Sequence, residues 1–517
     1  MPFQKRPRIA KSHRSRGSIK SIWFLFFGSI ALLGTLIAML VLGSPKPKGS
    51  ASTAQPLIIY CAAGVRPPVD AVATQYQNSQ GVQIQIQPGA SQTLLANIQT
   101  AKVGDLYLPA DESYVKIARD KGLIAETIPL AKMTVVLAVP KGSPHKISSI
   151  NDLLTGNLKI AQANPDAAAV GKVTRDALTK STQWDALSKK TLVFKGTVND
   201  VANDIKIGSV DAGFIWDAML KQYPDLEKVE VPELKDAVSQ VSICVLKCSQ
   251  QPAAALRFAR YLGARDKGLL EFTKFGYTAV EGDLWSASPE IVLFAGAMLR
   301  PAIEETIAKF EAREGCRVTR VYNGCGILVG QMRKQIGDMP DVYFSCDTSF
   351  MTQVEDLFLD TQDISSNQLV ILVPKGNPHA IKTLKDLGQP GLRLGVGHEK
   401  QCALGALTAT TLDQTGLRDP VRKNVVVESA TGDMLVNQLA TQSLDAVIAY
   451  VSNATGQGDK LQAISIDIPC AIATQPMAVS KDSKNKQITT RLMQAIESDD
   501  SKRNFIANGF KWKLGAN

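Results

Sequence analysis

The sequence predicts an α/β fold, with a mostly parallel sheet flanked by helices, built twice in tandem behind an N-terminal transmembrane helix. Three observations carry this. The motif Val139–Ile147 (VPKGSPHKI) returns as Val373–Ile381 (VPKGNPHAI), 234 positions later. Short apolar runs alternate with helical patterns through both halves, which is the mark of βαβ units. The stretch Ile22–Leu42 holds 21 residues without a charge.

That apolar stretch comes first in the chain. As a helix it is ~31 Å long, the thickness of a bilayer core. Seven basic residues precede it, Lys5, Arg6, Arg8, Lys11, Arg14, Arg16 and Lys20. They predict a cytoplasmic tail over 1–21, an anchor over 22–43 and an exported remainder. A cleaved signal peptide is the rival, but such apolar regions run only ~7–15 residues. Residues 44–55 are rich in Pro, Lys, Gly and Ser and read as a flexible linker.

The formal charge of +10 is concentrated at this end. Nine Lys/Arg and no acid lie in residues 1–50, so the rest is close to neutral. Nucleic-acid binding is therefore not expected. The eight Cys form no CxxC pair and no Cys/His cluster, so a metal site is not expected either. Cys244 and Cys248 read as one strand, ~13 Å apart, too far to bridge.

The repeat extends well beyond one motif. The same offset relates Arg66-Pro67 to Arg300-Pro301, Gly171 to Gly405, Asp211-Ala212 to Asp445-Ala446, and Trp216 to Tyr450. One segment slips by two, Asp105–Tyr114 against Asp341–Phe350. The chain thus divides into copies at 56–285 and 286–517. In copy one the pattern predicts a strand over 57–61, a helix over 67–77 and a strand over 82–87. A helix over 91–101, a strand over 105–108, a helix over 111–121 and a strand over 133–139 follow. Then come a strand over 158–161, a helix over 171–178 and a strand over 191–194. A helix over 198–207, a strand over 212–216 and helices over 253–262 and 268–275 complete the copy.

Ligands of open α/β sheets meet the carboxyl ends of strands, beside helix N-termini whose free N–H groups suit oxyanions. Four turns qualify in copy one: Ala62–Arg66, Gly89–Ser91, Ala168–Gly171 and Gly196–Val198. Asp111 and Asp347 read as helix N-caps. No Ser/His/Asp order, carboxylate pair or phosphate loop accompanies them, so no enzyme and no cofactor is expected.

The ordered series Cys61-Ala62-Ala63-Gly64-Val65, Ala90-Ser91-Gln92-Thr93-Leu94, Gly104–Asp111, VPKGSP, Ala169-Val170-Gly171 and Gly208–Trp216 resembles the periplasmic molybdate-binding proteins of ABC importers. Copy two repeats the series more loosely. The resemblance implies a type 2 periplasmic-binding-protein fold, two α/β lobes per copy, and ligand-driven closure of the lobes. It also implies a small oxyanion ligand and an ABC permease partner, with the bulk of the chain in the periplasm or outside. The family's ligand positions fall on Gly64, Ser91, Val170, Val198 and Trp216 in copy one. In copy two they fall on Met298, Cys325, Leu404, Gly432 and Tyr450. Several departures weigh against molybdate itself: Gly64 lacks a hydroxyl, Cys325 replaces a Ser, and Trp216 replaces a Tyr. Arg66 and Arg300, absent from the family pattern, are candidates for bidentate anion binding. Met298, Cys325 and Cys402 would suit Cu(I) as soft ligands, but such residues also serve as buried filler. The alternative function is a sensory or interaction scaffold that has lost its ligand.

Overall fold

The computed structural model describes residues 55–514. The expected tail (1–21) and anchor (22–43), and all but the last residue of the linker (44–55), lie outside the described residues. Among the described residues no helix is long and apolar enough to cross a membrane.

Copy one runs β1 (Leu57–Ala62), helix Arg66–Gln80, β2 (Ile84–Gly89), helix Ser91–Ala101, β3 (Leu106–Leu108), helix Glu112–Asp120 and β4 (Ile124–Pro140). It continues through β5 (Ile160–Ala163), helix Ala169–Lys180, β6 (Val193–Lys195), helix Val198–Lys206, β7 (Ala212–Trp216), β8 (Leu226–Val229) and β9 (Val238–Leu246). Helices Pro252–Leu262 and Gly268–Lys274 and the short β10 (Thr278–Ala279) end it. The sheet order is β2-β1-β3-β9-β4-β7-β5-β6. Pairs β1–β2, β1–β3, β5–β6 and β5–β7 are parallel, and every pair made by β4 or β9 is antiparallel.

Copy two reproduces this path. Its strands are β11 (Glu290–Gly296), β12 (Arg317–Asn323), β13 (Val342–Phe344), β14 (Gln362–Pro374), β15 (Leu394–Gly397), β16 (Val425–Ser429), β17 (Ala446–Tyr450), β18 (Leu461–Ser465), β19 (Ile472–Val479) and β20 (Lys511–Trp512). The order β12-β11-β13-β19-β14-β17-β15-β16 matches copy one strand for strand. Each copy encloses its own apolar core, one around Tyr76, Tyr107, Phe214 and Phe258, the other around Tyr343, Phe344 and Phe505.

Long strand β4 makes two lobes out of one sheet. Its first part, Ile124–Thr134, pairs with β9, and its last part, Val135–Pro140, pairs with β7 and β8. The crossing is pinned where Asp217 accepts the Thr134 and Ala218 N–H groups at 3.0 and 2.8 Å. The sequence pattern predicts this strand only from Met133. The earlier residues contain Glu126 and Pro129, and the register shifts between Ile124 and Thr127 and again between Pro129 and Ala131. A bulge lets Pro sit in a strand without breaking its ladder.

Buried polar groups repeat with the backbone. Asp105 accepts the Ile58 N–H at 2.9 Å and the Ser249 hydroxyl at 2.6 Å. Asp341 does the same for Val292 and Ser483 at the same distances. Asp111 and Asp347 cap their helices as expected. Cys248 differs from expectation: it lies in the turn after β9, and all eight cysteines are free thiols.

Candidate functional site

In copy one the helices Ser91–Ala101, Ala169–Lys180 and Val198–Lys206 start at one cavity between the lobes. Its lining is Ala62, Ala63, Gly64, Gly89, Ala90, Ser91, Ala110, Ala168, Ala169, Val170, Thr197, Val198 and Trp216. All four turns picked out in the sequence therefore meet. Gly64, Ser91, Val170, Val198 and Trp216 stand together there, though they are spread over 150 residues of chain. None of the lining residues is ionisable. Three helix N-termini give the cavity a positive potential without a cation.

The space open to the centre of a water-sized sphere is about 20 Å³. Treated as a sphere, that has a radius of about 1.7 Å, and adding ~1.4 Å for the water gives an occupant about 3.1 Å in radius. This is the size class of a central atom with one shell of oxygens.

Ser91 is the side-chain donor. It is 2% exposed and opens its helix. Its Oγ accepts the Ala110 N–H at 3.1 Å, and its carbonyl accepts the Tyr107 hydroxyl at 2.8 Å. With its oxygen already accepting, the hydroxyl has its proton left to give. Ala110 is the functional position that sequence reasoning missed. It precedes the N-cap Asp111 and aligns with Cys346, and its methyl side chain carries no chemical signal of a binding role.

Gly64 and Trp216 explain each other. A Cβ on Gly64 would lie 2.8 Å from Val198 Cγ1, 3.1 Å from Trp216 Cδ1 and 3.4 Å from Trp216 Nε1. The indole thus occupies room that a first-loop Ser would need. The Gly64 carbonyl accepts the buried Tyr277 hydroxyl, which fixes the turn. Gly171 permits another close approach, since a Cβ there would lie 2.2 Å from the Ala163 carbonyl oxygen.

Arg66 does not line the cavity, contrary to the bidentate role raised for it. It opens the helix Arg66–Gln80, and its Nε pairs with Asp70 at 3.0 Å, with both side chains 47% exposed. Arg300 likewise faces solvent, 67% exposed, with Glu304 at 3.8 Å and the Tyr322 ring beneath it. An Arg one turn before an acid on a helix finds that acid first.

Copy two keeps the frame and changes the lining. The cross-lobe bond from the Gln92 N–H to the Ala167 carbonyl, 3.0 Å, returns as Gly326 to Gln401 at 3.1 Å. Both copies are thus closed around their clefts. Met298, Cys325, Cys346, Cys402 and Leu404 stand where copy one has Gly64, Ser91, Ala110, Ala168 and Val170. All five are buried. The Cys346 N–H donates to Cys325 Sγ at 3.1 Å. The Cys346 sulfur lies 1.9 Å from where a Cβ on Gly296 would sit, taking the room of the Ala62 methyl group. Gly432, at the Val198 position, leaves space that Asn453 Oδ1 fills, 2.5 Å from the position of a Cβ there. Burial pushes the Cys402 thiol up to about 12. No group of three or more His, Cys, Asp or Glu among the described residues could hold a metal ion.

Two further groups mark this second cleft. The Tyr450 hydroxyl is buried with no hydrogen-bond partner among the described residues. Asp433 replaces Asn199, and burial raises its carboxyl above the usual range. His398 serves the turn, its Nδ1 accepting the Lys400 N–H at 3.2 Å, as Asn164 does for Asp166 in copy one.

A two-lobed closed frame around a dipole-lined cavity defines a binding protein, and the sequence profile of the bacterial extracellular solute-binding proteins matches residues 57–278 and 291–511. The chain belongs to that family, with two tandem members in one polypeptide. A Bacillus subtilis lipoprotein, YvgL, assigned as an ABC transporter substrate-binding protein, is 27% identical over 262 residues, 48% of this chain and 98% of that one. The molybdate-binding protein ModA of Mycobacterium tuberculosis is 26% identical over 225 residues, 43% of this chain and 84% of that one. Among solved structures, the Azotobacter vinelandii periplasmic molybdate-binding protein is 19% identical, with a TM-score of 0.39, covering 44% of this chain and all of its own.

Proposed function

We propose that copy one binds a small tetrahedral oxyanion and delivers it to an ABC permease, while copy two is a closed structural partner. The observation that carries this is the copy-one cavity, lined by three helix N-termini and the Ser91 hydroxyl with no ionisable side chain. Fixed N–H dipoles compensate an anion without the desolvation cost of burying a cation. Ser91, Trp216 and the first-turn N–H groups at Gly64, Val170 and Val198 are the binding set. Similarity to molybdate-binding relatives supports the oxyanion class. The Gly64 and Trp216 exchange supports a preference that differs from theirs.

Closure supplies the signal. Ligand contacts both lobes only when they meet, so binding shifts the β4 hinge equilibrium toward the closed form. The copies are 56–285 and 286–517, and residues 22–43 hold the protein at the outer face of the cytoplasmic membrane behind a basic tail and a linker. The scaffold reading applies to copy two. Its thiols are weaker donors than a hydroxyl, and Asp433 sits close enough to raise the Cys402 thiol further. In copy two, Cys325, Tyr450 and Arg300 are therefore not assigned to an oxyanion.

The test is a thermal-shift series on the full-length protein with molybdate, tungstate, sulfate, phosphate and thiosulfate. One oxyanion at ~100 times its dissociation constant adds ~2.7 kcal/mol of stability. No response to any of them overturns the oxyanion reading and leaves the scaffold.

A further inference from the structure

The junction between the copies holds an unbalanced group of arginines. Arg260, on helix Pro252–Leu262 of copy one, packs beside helix Arg300–Glu314 of copy two. Its side chain is 9% exposed. Its Nε, Nη1 and Nη2 are all buried, and none has an acceptor among the described residues. The nearest acid, Glu314, is spent elsewhere. Glu314 gives one oxygen to Arg491 Nε at 2.5 Å and the other to Arg491 Nη2 at 3.1 Å, leaving Arg260 Nε 3.8 Å away. Arg257, one turn earlier, also has a buried Nε without an acceptor.

Three acids face these three arginines, Glu314, Asp283 and Glu126, and the last is neutralised by Arg313, which donates to both its oxygens at 2.7 and 2.9 Å. The second, Asp283, gives its two oxygens to the Gln487 and Ile488 N–H groups, both at 2.9 Å. One positive charge is therefore left over in a buried place, an arrangement that is strongly unfavourable unless something compensates it. Beside it lies a cavity of about 20 Å³, lined by Arg260, Asp283, Trp285, Asn485, Gln487 and Arg491 among others. That equals the room in the copy-one cleft.

We propose that this inter-copy cavity is a second anion site, taking a small inorganic anion of halide to sulfate size on the Arg260 guanidinium. It shares no residue with the cleft and stands independently of the oxyanion reading. Its chemistry also differs, since a buried cation rather than backbone dipoles meets the ligand. An anion there cross-links copy one, through Arg260, to copy two, through Arg491. A water molecule can accept the N–H groups but leaves the charge uncompensated.

The experiment follows thermal unfolding of the full-length protein as chloride replaces gluconate at constant ionic strength. The midpoint should rise by roughly 5–10 °C at 100 times the dissociation constant. Arg260→Met should abolish that response, and Ser91→Ala should keep it. Crystals of the unmodified protein soaked in sodium bromide should give an anomalous peak within hydrogen-bond distance of Arg260, whether or not Arg260→Met folds. Only water at Arg260, or an equal chloride response in Arg260→Met, would overturn the proposal.

Discussion

At the start of helix Ser91–Ala101 a hydroxyl accepts the Ala110 N–H; at the start of helix Cys325–Lys334 a thiol accepts the Cys346 N–H, at the same 3.1 Å. The backbone frame of the two clefts is one frame, down to the cross-lobe bonds and the strand order. Only the groups presented to the cleft differ. The buried aspartates and the close-approach pair Gly171 and Gly405 are shared because each copy needs them to fold. The lining has changed because folding does not require it. Comparing the copies thus sorts residues by what holds them: those retained in both serve the frame, and those that differ serve, or no longer serve, a ligand.

The largest expected effect concerns what the copies share. Gly171→Ala would set a Cβ 2.2 Å from the Ala163 carbonyl oxygen, and Gly405→Ala would set one 2.4 Å from that of Gly397. Each should cost roughly 3 kcal/mol in thermal or denaturant unfolding, alike in the two copies. Unequal costs would break the claim of a common frame.

Next comes the lining. Ala110→Cys with Ala168→Cys gives copy one two of the sulfurs of copy two. Oxyanion affinity should fall by roughly 100-fold, ~2.7 kcal/mol in calorimetry, while the fold stays intact. Ser91→Ala removes a lining hydroxyl whose proton is free, the other, on Thr197, being given to Asp200 at 2.8 Å, and should weaken binding by about 10-fold or more. Cys325→Ala in copy two should leave it unchanged. The smallest effect belongs to Arg66→Ala, which should alter affinity by less than about two-fold, because its solvated partner is Asp70.

Much of the frame was legible in the chain because strands and helices keep their periods of 2 and 3.6 even when the copies diverge. Helix Ser91–Ala101 and strand Ala212–Trp216 fall at the bounds their patterns predict. Short polar helices such as Ile150–Thr155 and Trp184–Lys190 were not legible, since capping and tertiary packing hold them rather than an apolar stripe. At the site, the small strand-to-helix turns and Ser91 could be read. Repetition of Arg at positions 66 and 300 could not show that each stands at a helix start with an acid four residues on, Asp70 and Glu304. The exchange between Gly64 and Trp216 could not be read at all. It is a matter of volume between residues 152 positions apart, and only their contact reveals it.

The central claim, one working cleft in two copies of one frame, is tested most directly by the stoichiometry of binding. Titration calorimetry of the full-length protein in saturating chloride, which occupies the site at Arg260, with the oxyanion that stabilises it should give one ligand per chain, with the signal lost in the Ala110→Cys, Ala168→Cys variant. Two ligands per chain, with one surviving in that variant, would contradict it.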